Sequence, residues 1–198
     1  MGVRDASSKG QVDALTRAGI NTTLVQIDIS DSDSIRRVTE SKLEPVDILI
    51  NNAAVFDDIE NIFSVDDNEI ERVIRTNLIG PALLAKHFGS QMKHRGWGRI
   101  VNVSSGMGSI SRGFGADSPA YRISKLALNG LTITMADALR GTGVLVNSVD
   151  PGWVRTEMGG KSATRSVEEG ARSVIWAALI SDNGPTGGFF YDGKPVPW

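Results

Sequence analysis

Tyr121 and Lys125 stand four residues apart in the stretch DSPAYRISK, residues 117–125. On a helix, residues i and i+4 share a face, so a phenol and an ammonium would be neighbours there. A free phenol ionises near pH 10, too high to exchange protons usefully at neutral pH. A close ammonium favours the phenolate and lowers that value. Such a tyrosine can pass a proton to or from a bound oxygen atom. The chain has only two tyrosines among its 198 residues, and the pair alone remains a hypothesis until other polar groups converge on it.

Three further segments offer such groups. Asn51, Asn52, Ala53 and Ala54 follow an apolar run. Small residues there let a flat ligand approach the backbone, and the amides can tie neighbouring strands together. A simple turn is the equally weighted alternative, because asparagine is a common turn residue. Ser105 ends a second apolar run, where a helix cap or loop serine is the ordinary expectation. Asp150-Pro151-Gly152 ends a third. His87 and His94 lie seven apart with no third ligand in view, so they are read as solvated or packed side chains and no metal is expected.

The elements that must position these groups are legible as alternating runs. VDILIN (46–51), RIVNVSS (99–105) and VLVNSVDPG (144–152), with the weaker TTLVQIDIS (22–30), are short, nearly continuous apolar segments rich in β-branched residues. That pattern suits strands covered on both faces. Between them lie helical segments. Residues 64–96 repeat apolar positions at three- and four-residue steps, opening on Ser64 and acidic residues and ending on Lys93, His94, Arg95 and Gly96. Residues 118–143 have Ser118 as cap, Pro119 in the first turn and closing glycines. Residues 166–181 open with the capping-box pair Ser166 and Glu169. Strands alternating with helices predict a parallel α/β sheet with right-handed crossovers, and the chain reads as one domain, residues 1–198. Ligands of such sheets bind at the carboxyl ends of the strands, where DIS (28–30), NNAA (51–54), SSGMG (104–108) and DPGWVRT (150–156) all fall.

Composition narrows the function class. Hydrophobic residues make up 40% and charged residues 22%, with a formal net charge of −2. No nucleic-acid footprint is implied, and Arg36–Arg37 reads as a solvated helix face. The chain has no cysteine, which excludes a disulfide framework and a thiolate metal site. It has no apolar run long enough to span a membrane and no signal-peptide core. It opens Met-Gly, but Ala6 stands where a myristoylation signal wants Ser or Thr. The sequons at Asn21 and Asn102 are read as chance. A cytoplasmic protein is the expectation.

Taken in order, DIS, NNAA, TNLIG (76–80), VNVSSGMG, YRISK and DPGWVRTEM resemble the short-chain dehydrogenase/reductase family, along the whole chain. The ending PTGGFFYDGKPVPW (185–198) looks like its carbonyl-reductase-like subgroup. The resemblance implies a Rossmann-like, doubly wound parallel sheet. It implies NADP as cofactor, with NAD possible, and a small carbonyl or alcohol substrate. Tyr121 would be the catalytic acid/base and Lys125 its helper, which also hydrogen-bonds the nicotinamide ribose. Ser105 would hydrogen-bond the substrate oxygen. Asn77 would hold a water leading from the lysine to solvent, on a helix that bends there. Asp28 would meet the adenine, Asn52 and Ala53 would border the adenosine, and Pro151, Val154 and Thr156 would hold the nicotinamide amide. Arg4 matches a basic residue of NADP-preferring members, where a guanidinium grips the 2′-phosphate bidentately; an ordinary exposed arginine is the even alternative. Long helices such as 64–96 and 118–143 form the dimer interface in many relatives, while carbonyl-reductase-like members are also monomers.

The pattern has breaks. The family's Gly-x-x-x-Gly-x-Gly turn is not found, since Gly106-Met107-Gly108 follows the serine strand instead. The chain opens where the family would be leaving its second strand, so the expectation is an N-terminally truncated fold lacking the first two strands and first helix, roughly 30 residues. The absent turn would cradle the pyrophosphate. TTLVQIDIS must then either pair with VDILIN or leave strand edges open. Ala54 replaces a frequent glycine, and the interval from Ser105 to Tyr121 is slightly long. Two readings follow: an NADPH-dependent carbonyl reductase, or a shortened, non-catalytic fragment that binds no dinucleotide. Met107, Phe114, Trp153 and Met158 lie on segments that could line an apolar substrate pocket or simply fill loop contacts.

Overall fold

The computed structural model describes residues 1–4, 13, 15–41 and 43–198; Ala6 lies outside the described residues. In chain order the described elements are β1 (Gly2–Val3), β2 (Val25–Gln26), α1 (Ser32–Thr39), β3 (Ile48–Asn51), α2 (Asp67–Ile74), a π-helical turn (Arg75–Ile79), α3 (Gly80–Arg95), β4 (Gly98–Val103), a 3-10 turn (Gly106–Gly108), α4 (Pro119–Ala138), β5 (Val144–Asp150), α5 (Val167–Ala178), β6 (Phe189–Tyr191) and β7 (Lys194–Pro195).

Five strands form one sheet in the order β3-β4-β5-β6-β7, parallel except for the antiparallel β6–β7 hairpin. Asn51 pairs with Asn102 and Asn102 with Ser148, so the strand ends that carry chemistry are level. The sheet is covered on both faces, which explains the nearly unbroken apolar runs of β4 and β5. On one face Ile100, Val144 and Val146 pack with Ala85, Phe88 and Met92 of α3 and with Ala136 and Leu139 at the end of α4. On the other, Val101, Val103 and Val149 pack against Ala177 and Ala178 of α5. Alternate residues of one strand serve opposite cores, as the pleat requires. This is the doubly wound, Rossmann-like arrangement.

The TTLVQIDIS segment does not pair with VDILIN, so the second outcome, an open strand edge, holds among the described residues. Only Val25–Gln26 is strand, and it pairs in parallel with Gly2–Val3 to make a separate two-stranded sheet. Among the described residues, β3 pairs with β4 alone, and Ile50 on it is 42% exposed. The small sheet is anchored through helices: α1 packs on α3, and Gly80 at the start of α3 sits so close to the Ile29 carbonyl that a side chain there would overlap it.

The segment 64–96 is a composite rather than one helix. Asp66 caps α2, accepting from the Asn68 N–H at 2.8 Å. The π turn then inserts before α3, which ends at Gly96 in the left-handed conformation with φ 79°. The bend expected at Asn77 is this π turn. The chain's end closes through Asp192 and Gly193, both at positive φ (47° and 74°), the pairing that suits a tight hairpin between β6 and β7.

Candidate active site

The carboxyl ends of β3, β4 and β5 are level, and α4 sets Lys125 against the end of β4, with Tyr121 one turn before it. Both side chains are buried, Tyr121 at 8% exposure and Lys125 at 2%. The ammonium stands 5.4 Å from the phenol ring centroid and donates to the Val103 carbonyl at 2.8 Å. Ser105 begins the 3-10 turn just beyond β4, its hydroxyl accepting from the Met107 N–H at 3.2 Å. The turn lies directly on α4: a Cβ at Gly108 would come within 2.7 Å of the Lys125 carbonyl carbon, so glycine allows the close approach.

The electrostatics differ from the sequence-based expectation. Burial pushes the Tyr121 phenol up to about 12, with Ser105 pulling the other way through a hydrogen bond and the Asp150 carboxylate adding to the rise. Burial lowers Lys125 to about 8. Lys125 therefore does not convert Tyr121 to a ready phenolate here. Desolvation outweighs the neighbouring cation, whose Nζ is directed at a backbone carbonyl instead of the phenol oxygen. At neutral pH the phenol carries its proton and the ammonium its charge.

Asn77 has a use that sequence reasoning missed. Its side-chain oxygen accepts from the Val55 N–H at 2.8 Å, and its nitrogen donates to the Val55 carbonyl at 2.8 Å and to Ser124 Oγ at 3.0 Å. Ser124 in turn donates to the Tyr121 carbonyl at 2.7 Å. The π turn thus aims one buried amide at both the loop after β3 and the helix of Tyr121, a common role for such bulges. Asn51 ties strands as expected: it donates to Asn102 Oδ1, which begins a buried chain through Thr132 to Ser148, each link 2.8 Å.

The remaining sequence-derived candidates lie around the same end of the sheets. Asn52 and Ala53 are exposed at the end of β3. Pro151 and Val154 are half-buried and Thr156 exposed, on the loop after β5; Thr156 Oγ1 accepts from the Gly159 N–H at 3.1 Å. Asp28 holds Ser30 through its N–H at 2.9 Å and its hydroxyl at 2.6 Å. Those bonds lower its pKa, with a smaller effect from Arg4, so the two oppositely charged residues share one corner beyond β1 and β2. Of the pocket candidates, Phe114, Trp153 and Met158 are exposed and Met107 is partly so. Asp150, on a segment the sequence pointed to, is 5% exposed and pairs with Arg112 at 3.0 Å, a partner not foreseen; Asp57, discussed below, was unforeseen altogether.

The comparisons with known proteins agree with this fold. The profile described as short chain dehydrogenase matches residues 2–166. The chain belongs to the short chain dehydrogenase family. An uncharacterized oxidoreductase of Thermotoga maritima is 35% identical over 156 residues, which cover 76% of this chain and 59% of that protein. Carbonyl reductase [NADPH] 1 of Mus musculus is 29% identical over 239 aligned positions, covering 94% of this chain and 83% of that one. Among solved structures, the NADPH-bound carbonyl reductase from chicken fatty liver superposes with a TM-score of 0.85 at 28% identity. The match takes in 100% of this chain and 86% of that one. Family membership makes this chain a short-chain oxidoreductase.

Proposed function

We propose that the protein reduces a ketone or aldehyde to an alcohol, and runs the reverse oxidation, with NADPH as the preferred reductant and NADH as the lesser one. The observation that carries this reading is a buried, protonated phenol beside a serine hydroxyl and a buried ammonium, at the level ends of three parallel strands. The named relatives that reduce carbonyl compounds with NADPH support the choice of substrate class and cofactor.

The residues present suit a dinucleotide. Lys125 Nζ is enclosed by protein yet makes one hydrogen bond among the described residues, to Val103. Its other N–H directions fit ribose hydroxyls, since a buried ammonium needs partners. Asn52 and Ala53 would border the adenosine, Asp28 the adenine, and Arg4 the 2′-phosphate. Pro151, Val154 and Thr156 would hold the nicotinamide amide. When bound, the reduced nicotinamide supplies the hydride.

The chain's own residues then handle the oxygen. Ser105 and Tyr121 direct donors at the atom where negative charge develops, and such preorganised donors are usually the largest catalytic contribution. Tyr121 gives up its proton to that oxygen. Lys125 keeps a positive charge nearby as the phenolate forms, and Asn77 holds the surrounding backbone. Phe114, Trp153 and Met158, exposed on the loops that follow β4 and β5, favour an apolar carbonyl compound.

A second reading, a fold that binds no dinucleotide, draws on the separation of β1–β2 from β3. One titration separates the two. NADPH added to the purified chain is expected to quench its tryptophans saturably and to be consumed when an apolar aldehyde is supplied. Absence of binding at about millimolar NADPH, a thousandfold above a typical micromolar affinity, favours the second.

A further inference from the structure

We infer that Asp57, on the loop between β3 and α2, is a positioning residue that seats Tyr121 by capping helix α4 from a distant part of the chain. The inference rests on the reading in which Tyr121 donates the proton. A helix begins with N–H groups that have no partner within it, normally met by the side chain of the residue just before. Helix α4 cannot use that device. Ser118 occupies the capping position in a left-handed conformation, φ 48° and ψ 52°, and its side chain makes no capping bond. Pro119 has no N–H to offer. The first free donors are therefore the N–H groups of Ala120 and Tyr121.

Asp57 takes both. Its Oδ2 accepts from Ala120 at 3.2 Å and its Oδ1 from Tyr121 at 2.7 Å. The residue is 1% exposed, so its carboxylate is withdrawn from water and must be compensated by these bonds and by the positive end of the helix dipole. The shorter bond fixes the backbone of the very residue whose phenol does the chemistry.

The neighbours of Asp57 complete a clamp. Val55 is held at both its N–H and its carbonyl by Asn77. Phe56 sets its ring edge against the Tyr121 ring, centroids 4.9 Å apart at 63°. The Ile59 carbonyl accepts from the Ser118 N–H at 2.8 Å. The first turn of α4 is thus gripped by the loop after β3 on its backbone and on its aromatic ring. Asp57 touches no group in the cleft, so it acts through Tyr121.

The test is Asp57→Asn, which keeps the volume but turns an NH2 group toward an N–H. With NADPH and an apolar aldehyde, kcat is expected to fall about 10- to 100-fold while the KM for NADPH stays within about threefold, because small misplacements of a reacting group cost rate on this scale. In a Tyr121→Phe background the same change is expected to leave the residual rate within about twofold, since the group it positions is gone. Exchange of the Ala120 and Tyr121 amides is expected to quicken at least about tenfold, with the α4 interior unchanged. Asp57→Ser, which keeps an accepting oxygen without the charge, takes the same tests if D57N does not fold. A kcat within twofold of wild type, an equal loss in both backgrounds, or an unchanged Tyr121 amide would each overturn the inference. A wild-type chain that reduces no carbonyl compound ends the proton-donor reading, and the cap is then judged by amide exchange alone.

Discussion

Burial moves the two titrating side chains of the cleft in opposite directions, and both shifts have consequences outside catalysis. Lys125 is depressed from its ordinary value to about 8. Between about pH 8 and 10.5 the unfolded chain therefore binds a proton that the folded chain has lost, so stability rises with pH across that window. The gain between pH 7 and 10 is expected to be about 2 kcal/mol by chemical denaturation, and to vanish in Lys125→Met. Above pH 10 the sign reverses for Tyr121, whose folded value is raised to about 12. There the unfolded phenol ionises first and stability is lost with rising pH, a loss that Tyr121→Phe should remove. A wild-type curve that is flat from pH 7 to 10 would contradict the burial of a charged Lys125. The types and spacing of Tyr121 and Lys125 were readable from sequence, but their protonation was not. Spacing suggests that a cation meets a phenol; only the packing shows that water has left and that the ammonium turns to the Val103 carbonyl.

Among the elements, the π turn at Arg75–Ile79 does more than interrupt a helix. It directs Asn77, 1% exposed, at Val55 and Ser124, so three hydrogen bonds depend on one amide. Asn77→Ala leaves part-buried backbone groups of Val55 unpaired and is expected to cost about 1–3 kcal/mol in a denaturant titration, with a parallel loss of turnover. A loss under about 0.5 kcal/mol would mean the loop after β3 is held by other contacts. The apolar periodicity of 64–96 revealed helix, and the family resemblance pointed to a bend. Neither revealed a bulge, because one inserted residue shifts the apolar register by only about a quarter turn, which mixed three- and four-residue steps absorb. Helix α1 was foreseen only through Arg36–Arg37, read as a solvated helix face, and its extent was not, for a different reason. Its eight residues carry Asp31 as cap, accepting from the Asp33 N–H at 2.9 Å, but only Ile35 among their apolar residues is fully buried, which is too little for a periodic signal. Asp57 was invisible for a third reason. An aspartate in a polar loop reads as a turn residue, and its partners lie more than sixty positions away.

At the scale of the molecule, a two-stranded parallel sheet and a five-stranded, mostly parallel sheet are joined by helices, and among the described residues their strands do not pair. β3, β4, β5 and the two layers covering them followed from the alternating pattern of runs, and β2 from the weaker run TTLVQIDIS. β1, β6 and β7 did not, because strands of two or three residues carry too few side chains for any pattern. The outer edge of β3 shows the consequence: it lacks a strand partner among the described residues, with Ile50 42% exposed on it. Unpaired edges with apolar side chains template association between chains. Sedimentation is expected to show a mass that rises with concentration, and Ile50→Lys is expected to shift it toward the monomer. Equal masses for both proteins at every concentration would show that this edge is covered in solution.

The central claim is that a protonated, buried Tyr121 delivers the proton that completes carbonyl reduction. It is tested most directly by comparing wild type with Tyr121→Phe under saturating NADPH and an apolar aldehyde. Turnover is expected to drop by about 100-fold or more, the usual share of a general acid, while NADPH affinity stays within about threefold. A Tyr121→Phe variant that binds NADPH and turns over as fast as wild type would contradict it.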